Sequence, residues 1–188
     1  MTVPRMPRTL AIHPVSRGFG WVVFESPLAP IDWGFAVTRR QKNEVCVEKV
    51  EGLMIKYLPE TLVLEAYEFP HAHRSERMTR LGRALHTLAT ARGVDVVVFT
   101  RVDIKACFRS YGAKSRHEIA QVIVRHIAAL EGVLPQKRKR WETERDRLAI
   151  FSAAAVGLTS YYLNSQTLFA DLKGQSLGEG TQGMKSLF

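Results

Sequence analysis

Long apolar runs are missing from this sequence. None reaches the roughly 20 residues that a helix needs to cross a bilayer, and the apolar stretch from Leu148 to Leu158 is short and flanked by charge. The N-terminal segment, MTVPRMPRTLAIHP, is basic but has no apolar run of signal-peptide length. Cysteine is scarce: Cys46 and Cys107 are the only two among 188 residues. With no CxxC or Cys/His finger spacing, a structural zinc site is not expected. Two reduced, partly buried thiols and a cytoplasmic location are. No internal repeat is present. Acidic residues are in deficit, 18 Asp and Glu against 27 Lys and Arg, which leaves a net charge of +9. A field of that sign attracts polyanions, so nucleic acid is the first partner class and an anionic membrane the second.

What is present reads as one domain over residues 1–168 with a Gly-rich, polar, flexible tail over 169–188. Thr9–Ile12 is a short apolar strand, and Pro14 keeps His13 extended. Trp21–Phe24 and Ile31–Val37 follow after tight turns, which predicts an antiparallel meander of three strands. Asn43–Leu58 carries Val47, Val50, Met54 and Leu58 at helical spacing and is closed by Pro59. Thr61–Ala66 reads as a buried strand, Ser75–Arg92 as a helix ended by Gly93, and the valine-rich Val94–Phe99 as a strand covered on both faces. Ser115 and Glu118 form a capping box for a helix to about Leu130, and Glu142–Leu163 reads as a long final helix. The sum is an α/β protein: a five-stranded mixed sheet, three antiparallel strands and then alternating helices and strands, flanked by helices. That is the element order of the RNase H-like fold.

Three segments then carry a more specific resemblance. Ala11-Ile12-His13-Pro14-Val15-Ser16-Arg17, followed by Gly20, resembles the first-strand motif of the RuvC-like Holliday-junction resolvases, an apolar pair, Asp, Pro, Gly, Ser and Arg. Leu62-Val63-Leu64-Glu65 is similar to the family's fourth strand, which ends in a catalytic Glu. Asp146-Arg147-Leu148-Ala149-Ile150 is similar to its last-helix motif, in which Asp precedes Leu-Ala-Ile. The match runs over roughly Leu10 to Leu163. It implies a divalent-metal-dependent endonuclease, using Mg²⁺ or Mn²⁺, that acts on branched or structured DNA as a homodimer through the Ser75–Arg92 helix.

By that resemblance Glu65 and Asp146 are the expected catalytic and metal-binding carboxylates, since clustered oxygen donors suit hard cations. His13 stands where the family has Asp. An imidazole adds no negative charge and cannot bridge two ions as a carboxylate does, and it suits Mn²⁺ or Zn²⁺ better than Mg²⁺. Thr143 stands where the family has a second acid, and Glu142, on nearly the same helix face, is the candidate substitute. Each has a plainer reading as well: Glu65 as a surface acid, Asp146 and Glu142 as acids near a helix N-terminus, His13 as a hydrogen-bonded strand-end histidine. Asp32 is a tempting replacement acid whose place on the third strand favours an edge or turn role. His71 and His73 alternate in an extended loop and could share a metal.

Candidate nucleic-acid contacts are Arg17, Arg74 and Arg77, the basic run Lys137-Arg138-Lys139-Arg140, and Lys105, Lys114 and Arg116 around Gly112, which look like the family's basic loop. Tyr67 and Phe69 fall where resolvases often carry a wedging aromatic. Whether the chain is an enzyme stays open at this point. The rival expectation is a catalytically inactive RuvC-like subunit that binds nucleic acid or serves in assembly, which His13 and Thr143 favour.

Overall fold

The computed structural model describes residues 7–38, 42–68, 75–136 and 146–165. Five strands form one sheet in the order β3-β2-β1-β4-β5. Strands β1 (Thr9–Val15), β2 (Gly18–Ser26) and β3 (Ala29–Val37) make the expected antiparallel meander. Strands β4 (Thr61–Glu65) and β5 (Asp95–Phe99) then add in parallel to β1 and to each other. Helices α1 (Lys42–Tyr57) and α2 (Glu76–Ala91) cover one face. On the other lie α3 (Arg101–Arg109), α4 (Arg116–His126) and α5 (Leu148–Ser165).

Alternation along the strands sorts the core into two layers. Leu10, Ile12, Val23, Leu62 and Leu64 pack under α1 and α2. Ala11, Val22, Phe24 and Val63 pack under α5. His13 and Glu65 have the parity of Ala11 and Val63, so both side chains fall on the α5 face. Helix α5 is apolar all round because the sheet, α3 and α4 enclose it. Its Ser152 and Thr159 hydroxyls donate to the carbonyls of Leu148 and Ala155 within the helix. Small residues let α5 come close. A Cβ at Gly20 would overlap the Ala149 carbonyl and lie 2.6 Å from the Ile150 nitrogen.

Four expectations need correction or trimming. Strand β5 packs Val96 against the α1 and α2 layer and Val97 and Phe99 against the α5 layer, but as an edge strand its residues are only half-buried or exposed. Helix α3 was not expected, although Thr100 and Asp103 make a capping box at its start. Helix α4 has its Ser115–Glu118 box but ends at His126, and a 3-10 turn over Ala128–Val133 takes up the rest. The final helix begins at Leu148, with Asp146 and Arg147 in the turn before it. Cys46 and Cys107 are both free and buried, and burial pushes the Cys107 thiol up to about 12. Among the described residues no helix is long and apolar enough to cross a membrane. The expected tail lies outside the described residues.

Candidate functional site

Parallel pairing of β1 with β4, in the register Ile12 opposite Leu64, carries the next residues of the two strands, His13 and Glu65, to the same end of the sheet. His13 Nδ1 lies 3.1 Å from Glu65 Oε2, with the histidine 1% and the glutamate 11% exposed. The carboxylate oxygen thereby fills the space beside Nδ1, where a cation bound by that nitrogen would have to sit. The first and fourth strands therefore bring His13 and Glu65 together at their ends, as expected.

Asp146 reaches the same region from the turn before α5. Gly20, opposite His13 in the β1–β2 hairpin, is what lets that first turn of α5 press against the sheet. The carboxylate, 32% exposed, faces Arg17 of the hairpin turn at 3.7 Å between Oδ2 and Nη1. Glu142 lies outside the described residues. So do Phe69, His71, His73, Arg74 and Lys137-Arg138-Lys139-Arg140. Among the described residues no three His, Cys, Asp or Glu side chains converge where a metal ion could sit. Glu65 is engaged by His13 and Asp146 faces Arg17, so this described donor set does not fit a two-ion centre. Asp32 is also set aside by geometry. It lies opposite Val23, on the α1 face of the sheet, where its carboxylate accepts from the Tyr57 hydroxyl and from the Trp33 amide.

Beside Glu65 the chain forms a groove with an apolar floor of Ile104, Ile119, Phe151 and Ala155. Its charged lining is Arg101, Lys105, Lys114 and Arg116 against the single carboxylate of Glu65. Three of those cations, Lys105, Lys114 and Arg116, were candidates from sequence, and the fold brings them to the glutamate. Arg101 was missed because α3 was missed. Once α3 starts at Arg101, that residue and Lys105 stand one turn apart on one face. At the start of α4, Glu118 Oε2 accepts from the Lys114 and Ser115 amides at 2.7 and 2.8 Å, so those two donors already have a carboxylate partner. Attraction for an anion comes from the side chains.

Two other candidates have structural tasks. Tyr67 lies flat on Gly82 of α2, where a Cβ would overlap its ring, and its hydroxyl is 3.0 Å from His86 Nδ1. Its phenol is pushed up, first by burial and then by Glu68. Arg77 Nη2 donates to the Val15 carbonyl at 3.0 Å and Nη1 to Asn43 Oδ1 at 3.0 Å, while Asn43 Nδ2 returns a bond to the Arg77 carbonyl. It clamps the hairpin turn that carries Arg17 onto the starts of α1 and α2. Arg77→Ala is therefore expected to lower stability by about 2 kcal/mol, read from the urea midpoint. The salt dependence of DNA binding should stay unchanged, whereas removal of a phosphate contact would reduce its log–log slope by about 0.9.

No protein-family model matches the chain, and no curated protein sequence does. Solved structures do. Thermus thermophilus RuvC superposes with a TM-score of 0.59 at 19% identity, covering 85% of this chain and 97% of that one. T. thermophilus RuvC in complex with a Holliday junction substrate gives 0.59 at 18%, covering 86% and 97%. The yeast mitochondrial Holliday junction resolvase Ydc2 gives 0.53 at 15%, covering 94% and 87%. These likenesses establish the fold as RuvC-like, within the RNase H-like class.

Proposed function

We propose that this chain binds branched or otherwise structured DNA, seating a backbone phosphate in the basic groove beside Glu65. The observation that carries this reading is the convergence of Arg101, Lys105, Lys114 and Arg116 on one groove at the end of β4. Phosphate contacts of this kind fix position and register and read no bases. The fold is shared with a RuvC solved in complex with a Holliday junction substrate, which makes a branched duplex the first substrate to try. The cation-rich groove and the net charge of +9 favour a polyanion independently of that likeness.

A second reading is a Mg²⁺- or Mn²⁺-dependent endonuclease. The retention of Glu65 and Asp146 favours it, with Glu142 as the acid that would complete the set. The pairing of His13 with Glu65 speaks for binding without cleavage. On either reading the chain works in the cytoplasm as a homodimer, which would present two such grooves to a two-fold junction. The apolar face of α2 (Leu81, Leu85 and Ala89) is buried within the chain, so α2 would pair through its polar face.

The test is a labelled four-way junction, with a linear duplex of equal length as competitor, incubated in EDTA, Mg²⁺ or Mn²⁺ with wild type and Glu65→Gln. The expected result is at least tenfold preference for the junction with every strand intact. Symmetric nicks that vanish in Glu65→Gln would replace the binding reading with the nuclease one. Equal affinity for junction and duplex would overturn the structured-DNA assignment.

A further inference from the structure

We infer that His13 and Arg17 stand against the two carboxylates where a metal-dependent site holds divalent ions, so that this site accepts a DNA phosphate without a metal. The inference rests on the DNA-binding reading above and extends it to how the acidic end of the groove tolerates an anion. A phosphodiester brought against two bare carboxylates meets like charge at close range, in surroundings partly shielded from water. A metal-dependent site resolves that conflict with bound cations. Here the chain supplies its own partners for both acids.

The His13–Glu65 contact is a fixed feature of the sheet. Both residues extend paired parallel strands whose register is set by Leu10, Ala11 and Ile12 against Leu62, Val63 and Leu64, all buried. Glu65 is also held from its other side by the β4–β5 ladder, opposite Phe99. Neither strand can slide without turning its buried face outward. The imidazole, 1% exposed, is therefore held beside the carboxylate by the strand pairing.

Arg17 is more exposed, at 69%, but its backbone is held. The Thr38 amide donates to the Arg17 carbonyl at 2.8 Å, and Arg77 grips the Val15 carbonyl next to it. Arg17 thus stays beside Asp146 as the weaker, salt-screened half of the arrangement. With both acids partnered, the groove presents the field of Arg101, Lys105, Lys114 and Arg116.

The experiment follows thermal unfolding of wild type, Glu65→Gln and His13→Asp, without DNA, in EDTA or in millimolar Mg²⁺ or Mn²⁺. Junction affinity of wild type is measured in the same buffers at matched ionic strength. The wild-type midpoint is expected to agree within about 1 °C in all three, while His13→Asp melts lower in EDTA and gains about 3 °C or more with Mn²⁺. Wild-type junction affinity should gain no more than twofold from either metal. A metal-induced rise in the wild-type midpoint that disappears in Glu65→Gln would overturn the inference, and that comparison stands even if His13→Asp fails to fold. A metal-insensitive midpoint with no junction binding in any buffer would sink the DNA reading while leaving the replacement of the metals by His13 and Arg17 intact.

Discussion

Gly20→Ala is expected to destabilise the protein by about 3 kcal/mol, and Gly20→Val to leave little folded material. The reason lies in which atoms are in the way. A Cβ at position 20 meets the carbonyl of Ala149 and the nitrogen of Ile150, which are backbone and cannot rotate aside. The only relief is to lift the start of α5 from the sheet. Leu148, Ala149, Ile150 and Phe151 are all buried, so lifting them exposes a large part of the α5 layer. Against a total stability of about 5–15 kcal/mol, that is a large share. The control is Gly52→Ala on α1, where an added Cβ meets nothing within 4 Å. That change should stabilise by about 0.5–1 kcal/mol through helix propensity. Urea unfolding measures both, and an unchanged midpoint for Gly20→Ala would show that α5 does not press on β2 there.

Lys105→Ala combined with Lys114→Ala is expected to weaken junction binding by about two orders of magnitude while leaving stability nearly untouched. Both side chains are exposed and line the groove beside Glu65, so their removal strips phosphate contacts without opening the core. Each charge-assisted hydrogen bond removed from a DNA interface weakens binding roughly tenfold. The log–log salt slope should fall by about 1.8, the share of two phosphates. Lys49 on α1, exposed on the far face of the sheet, is the control, and Lys49→Ala should change affinity by less than twofold. Filter binding over a salt series checks both. If the double variant binds as wild type, DNA does not use this groove.

The sequence made several parts of this legible. The apolar runs Leu10-Ala11-Ile12 and Leu62-Val63-Leu64 are strand signals, and the two-residue period of a strand fixes which residues share a face. The Ser115–Glu118 spacing marked a helix start that the structure bears out. The site was legible only in fragments. Glu65, Lys105, Lys114 and Arg116, each singled out from its segment, line one groove. Arg101 was not legible without α3, a helix of nine residues that is short for periodicity to reveal. Arg77 has the composition of a DNA contact, yet three backbone and side-chain oxygens claim its guanidinium.

By itself the sequence determined the fold class and the order of the strands and of every helix but α3, because periodicity, caps and residue identity are local properties of the chain. Only the tertiary structure decided that His13 turns to Glu65, that Asp146 faces Arg17, and that four cations share one groove. Those facts depend on strand register and on how closely α5 approaches Gly20, which are set by packing between segments far apart in sequence and leave no local trace.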